Sequence, residues 1–147
     1  MPQANDAELT ELYTAPTLEE VEDSEPNTGL PGGAAAPDFD LRLQAVAGNV
    51  IGSGGANYTL RIVCIDDTLA APNPSMSPGV LNQAFNNAAG NDWKPGGGNT
   101  GNFVKEQRFP ITVDNGAKGH VLHYVATMVS ANGDIVSFLE SNRFILV

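Results

Sequence analysis

The side chains able to do acid–base, nucleophilic or metal chemistry are few. His120 and His123 are the only imidazoles in the chain. Three residues apart on a strand, they leave opposite faces and cannot close on one metal ion without a bulge. The structural alternative puts one imidazole near a turn and the other on a sheet face. Ser53, in Gly52-Ser53-Gly54, lacks the remaining pattern of a nucleophile elbow. Gly96, Gly98 and Gly101 have the letter spacing of a dinucleotide fingerprint. They follow Pro95 instead of a buried strand, and no helical segment opens after them. With no nucleophile beside a base, the expectation is no catalytic residue, no metal and no cofactor, in a protein that is not an enzyme.

Oxygen ligands for calcium need a separate look. Asp66, Asp67, Asn91, Asp92, Asp114, Asn115 and Asp134 fall near expected strand ends. None sits in the spaced pattern of a dedicated calcium loop, and Asp and Asn populate turns for conformational reasons alone. The single cysteine, Cys64, cannot form an intrachain disulfide. Its apolar run, Arg61-Ile62-Val63-Cys64-Ile65, marks it as a small buried hydrophobe. Trp93, followed by Lys94 and a glycine run, has two readings. On a loop, an amphipathic indole anchors a protein or glycan partner. Folded back, it covers the hydrophobic edge of the core.

The elements that position these residues are extended ones. Phe39, Leu41 and Leu43 alternate with polar residues over 38–44, as in a half-buried strand. Gly48 to Gly55 supplies a turn. Tyr58 to Ile65 is nearly continuously apolar, as expected of a strand covered on both faces or lying centrally. Phe103 to Val113 is a further strand, with Pro110 implying an edge or bulge. His120–Ala131 and Asp134–Glu140 form a hairpin about Asn132-Gly133, a type I′ signal. That turn sets Val129 opposite Val136 and Thr127 opposite Phe138 on one side. Met128 opposite Ser137 and Ala126 opposite Leu139 lie on the other. Residues 143–147 end the chain as a strand. Between these, the long stretch 68–102 reads as an insertion carrying one short helix. Ser77 caps it, Pro78 opens it, and Val80, Leu81, Ala84, Phe85 and Ala88 form its stripe.

Ten of the 17 acidic residues lie within residues 1–40, which hold no Lys or Arg. The other seven acids balance all seven basic residues, so the body is neutral and the net charge of −10 belongs to the first 40 residues. Phosphate contacts need clustered cations, so nucleic acid is excluded as a partner, and so are anionic membranes. No run approaches 18 apolar residues. The acidic start without an apolar stretch is not a signal peptide, which together with Met1 gives a cytoplasmic expectation.

Residues 1–37 therefore read as an acidic arm with a Pro/Gly/Ala linker, and residues 38–147 as the folded body. Within the arm, Asp6 caps a short helix to Tyr13, and Thr17-Leu18-Glu19-Glu20 has the capping-box pattern. Leu9, Leu12, Tyr13, Leu18 and Val21 are its apolar contacts, and with Trp93 they are the candidate partner-binding residues. Six or seven short strands in about 110 residues predict an all-β antiparallel β-sandwich. Their size and order resemble immunoglobulin-like or fibronectin-type modules, without the paired cysteines and core-strand Trp of the former. The expected function is a structural or protein-interaction module whose arm docks on a partner or on a neighbouring copy in a homo-oligomer, as in accessory components of larger assemblies. The alternative is a glycan-binding sandwich that uses the Trp93 loop.

Overall fold

A computed structural model describes residues 4–28, 33–96 and 102–147. Part of the expected linker (31 and 32) and most of the glycine run (97–101) lie outside the described residues. The strands, in chain order, are β1 (Ala7–Ala15), β2 (Asp38–Ala47), β3 (Asn57–Asp66), β4 (Ala71–Asn73) and β5 (Gly79–Ala84). They continue with β6 (Trp93–Pro95), β7 (Phe103–Thr112), β8 (Val121–Ser130), β9 (Val136–Glu140) and β10 (Phe144–Ile145). All pair antiparallel in two sheets, one ordered β1-β2-β7-β6 and the other β10-β8-β3-β4. In the second sheet β5 also pairs with β3, and β9 with β8. The protein is an all-β sandwich.

Alternation decides the core. Phe39, Leu41, Leu43, Ala45 and Ala47 of β2 are buried, and so are Tyr58, Leu60, Ile62 and Cys64 of β3. Leu122, Tyr124, Ala126 and Met128 of β8 meet them from the same sheet. Each fully buried large aliphatic side chain contributes roughly 1.5–3 kcal/mol. Phe39 and Tyr124 both pack on Phe144, at ring separations of 5.6 Å. The end of the chain is thereby tied into the core, as its apolar pattern predicts.

Three expectations for local structure are corrected. Residues 7–13 are not helical but lie in β1, an edge strand paired along β2. The register shifts between Leu9 and Glu11, and this bulge lets Leu9 and Leu12, three residues apart, both face the core. The helix expected after Ser77 is β5. Gly79, at φ +85°, turns the chain after Pro78, and Val80 and Asn82 then face outward while Leu81 and Gln83 turn in. Among the described residues the helical elements are three 3-10 turns of three residues each. The β8–β9 connection is not type I′. Gly133 has φ +77° but Asn132 does not have a positive φ, and the Ser130–Ile135 pair closes a loop over 131–134. The expected register survives, because both turns leave Val129 opposite Val136 and Thr127 opposite Phe138.

Beyond β1 the acidic segment folds back on its own body. Asp23 N–H donates to Thr14 O (2.8 Å), and Ile145 N–H donates to Ser24 O (2.8 Å). Buried Asn27 donates to the Val147 carbonyl (2.8 Å) and accepts from its N–H (3.0 Å). Residues 16–28 thus form a strap from the first sheet to the chain end. Asp40 is fully buried beneath it, accepting from Leu18 N–H (2.7 Å) and Arg108 Nε (2.6 Å).

Candidate functional site

The six residues expected to bind a partner do not converge. Leu9 and Leu12 are core residues. Tyr13 lies on the outer face of the first sheet, where its hydroxyl donates to Glu20 O (3.2 Å) and burial raises its phenol pKa. Leu18 and Val21 project from the strap, 72% and 74% exposed. Trp93 sits at the far edge of the same sheet and is 1% exposed, so its indole offers no face to a glycan.

Trp93 instead begins a hydrogen-bond chain between the sheets. Its Nε1–H donates to Tyr58 Oη (3.0 Å), and Tyr58 donates to Gln83 Oε1 (2.6 Å). Gln83 Nε2 then donates to Gln107 Oε1 (3.0 Å). Phe85 packs against both aromatic rings in a tilted arrangement, 4.6 Å from Tyr58 and 5.2 Å from Trp93. The indole N–H, the Tyr58 hydroxyl and the Gln83 amide are all hydrogen-bonded within the fold, and burial holds the Tyr58 phenol well above its ordinary range. Cys64 is buried as expected, its thiol pushed up to about 12 by burial, which leaves it without thiolate character near neutral pH.

The histidines each take their own carboxylate. His120 Nδ1 is 2.6 Å from Asp66 Oδ2, and His123 Nδ1 is 2.7 Å from Asp67 Oδ2, with Arg143 3.5 Å from the same Asp67 oxygen. Burial pushes the Asp66 carboxyl up, but hydrogen bonds from His120 and the Leu69 N–H outweigh it and hold the group below the usual range. Asp114 is held low by hydrogen bonds from Asn73 and the Gly116 N–H, capping a 3-10 turn. Among the described residues no three His, Cys, Asp or Glu side chains converge as a metal site. No helix of the described residues is long and apolar enough to cross a membrane.

Two surface features remain. Where β1 meets β9, a groove of about 390 Å³ is lined by Glu11, Glu20, Glu22 and Glu140, with Tyr13 at its wall. Adjoining it is the outer face of the six-stranded sheet, whose rows follow from the strand register. One row is Asn82, Thr59, Val129 and Val136. The next is Val80, Arg61, Thr127 and Phe138, and a third is Val63, Val125 and Glu140. Val136 is 70% exposed, Phe138 59%, Val80 55% and Val129 39%. The outer face of the other sheet is charged instead, exposing Glu8, Glu11, Asp38 and Glu106. The hairpin register places Val129, Val136, Thr127 and Phe138 on one side from sequence alone. What sequence lacks is a signal for which side is buried, because both sides of the hairpin carry apolar residues. Comparison of the chain with protein-family models, with curated proteins and with solved structures finds no match.

Proposed function

We propose that the protein is a non-enzymatic, immunoglobulin-like interaction module that meets another protein through the outer face of its six-stranded sheet. The observation that carries this reading is the exposure of Val129, Val136 and Phe138 side by side on β8 and β9, with Val80 on β5 beyond Arg61 on the same face. Contiguous apolar surface on a sheet is characteristic of a face that another protein covers. The strap supports a different role for the acidic segment from the one its composition suggests: it docks in cis, tying β1, Asp40 and the chain end together. A cytoplasmic accessory component of a larger assembly fits this reading. The glycan reading loses its anchor with the burial of Trp93.

The experiment is size-exclusion chromatography of the protein in extract of its source. The wild-type chain is expected in a species larger than the monomer. Phe138→Arg shifts it to the monomer position, whereas Glu106→Arg on the opposite face leaves it unchanged. Both positions are exposed, so both variants should fold. Equal behaviour of the two variants contradicts the reading.

A further inference from the structure

We infer that the occupant of this sheet face is a second copy of the same chain, docked face to face about a two-fold axis. The inference rests on the proposed interaction face and adds its partner. Its basis is the pair of charges on that face. Arg61 and Glu140 are exposed, and among the described residues neither side chain has an ion pair or hydrogen bond. They sit diagonally across β8: Arg61 is in register with Thr127, and Glu140 with Val125, two residues along.

A two-fold axis in the interface plane, passing over β8 between Val125 and Thr127, carries Arg61 of each copy onto Glu140 of the other. An isologous contact of this kind forms every pair twice; Asp67 and Arg143 on the same face already pair within each copy, so the one unpaired charge of each sign gives two ion pairs. Phe138 of each copy then lands near Thr127 and Val129 of the other. The net charge of −10 opposes the contact in part, since Glu11, Glu20 and Glu22 line the groove beside Glu140. The exposed acids Glu8, Asp38 and Glu106 lie on the outer face of the other sheet. Sheets pack about 10 Å apart, beyond the Debye length of about 8 Å at physiological ionic strength.

The face is large enough for a weak dimer. Four strand positions about 4.8 Å apart and central strands rising about 3.4 Å per residue over ten residues give roughly 600 Å² per copy. Two copies bury about 1,200 Å², at the lower bound of specific interfaces, so a concentration-dependent monomer–dimer equilibrium is expected.

Sedimentation equilibrium on the purified full chain tests this across roughly 10 µM to 1 mM. The wild type should show a monomer–dimer equilibrium. Arg61→Glu and Glu140→Arg should each weaken dimerisation by about tenfold or more, because like charges then face each other. The double variant Arg61→Glu/Glu140→Arg should return to within about threefold of wild type, a rescue that a misfolded chain does not show. A wild type monomeric throughout, or single variants that dimerise like wild type, overturns the inference. If the purified chain is monomeric while Phe138→Arg still disrupts the larger species in extract, the face binds another protein and only the second copy is wrong. If Phe138→Arg has no effect in extract either, both readings fall.

Discussion

Lys105 is an inward-pointing residue of β7 with no exposed surface, an unusual place for an ammonium. It donates to the carbonyls of Asn91 (2.5 Å) and Gly90 (3.3 Å), closing the loop that leads into Trp93. Burial pulls its pKa down to about 8, with Asp92 offsetting part of the effect. Below pH 8 the folded and unfolded chains both hold the proton, and the fold bears the cost of a buried charge. Between about 8 and the ordinary lysine value near 10.4, only the unfolded chain is protonated, so stability rises with pH. Cys64 acts in the opposite sense: its thiol is raised by burial, so the unfolded chain ionises first and stability falls above about pH 8.5. Tyr58 and Tyr124, also raised by burial, add to that fall above about pH 10. The lysine is isolated by comparing Lys105→Met with wild type in urea unfolding at several pH values. The stability difference, wild type minus variant, should rise by on the order of 3 kcal/mol between pH 7.5 and 10.5. A difference that does not change with pH contradicts the buried ammonium. Neither Lys105 nor Trp93 announces its burial in the sequence. Both lie where two sheets close on each other, and that contact joins residues far apart in the chain.

At the scale of elements, β1 shows how an edge strand can imitate a helix. Leu9 and Leu12 have helical spacing, yet the bulge after Leu9 adds one residue and brings both to the core face of a strand. The spacing of Val80, Leu81, Ala84 and Phe85 misleads similarly, since the turn at Gly79 restarts the chain with a period of two. By contrast β2, β3 and the β8–β9 hairpin are legible, because each pairs over many residues and its alternation is unbroken. The place of β1 in the sheet predicts the outcome of truncation. Deleting residues 1–15 removes two buried leucines worth roughly 3–6 kcal/mol together, and unpairs one side of β2. That loss is comparable to the whole stability of a small domain. The truncated chain should aggregate or lack a cooperative thermal transition by circular dichroism. An unchanged thermal midpoint would mean that β1 is dispensable.

For the whole molecule, the two outer faces divide the work of the fold. One is acidic and partly covered by the strap, which locks β1, Asp40 and the chain end into one body. The other is close to neutral, carries Arg61 and Glu140, and leaves Phe138 and three valines exposed. The charge of −10 therefore lies mainly on the acidic face, the strap and the groove beside it. Sequence reveals the charge and its concentration in the first 40 residues. It does not reveal that those residues fold against their own body, because the contacts that hold them, Asn27 with Val147 and Ser24 with Ile145, span the length of the chain. The central claim is that the outer face of the six-stranded sheet meets another protein, and site-specific photo-crosslinking in the living cell tests it most directly. A photoreactive phenylalanine analogue at position 138 should yield a discrete protein adduct, while the same group at position 106 on the opposite face should not. Adducts at 106 equal to those at 138, or none at 138, would contradict the claim.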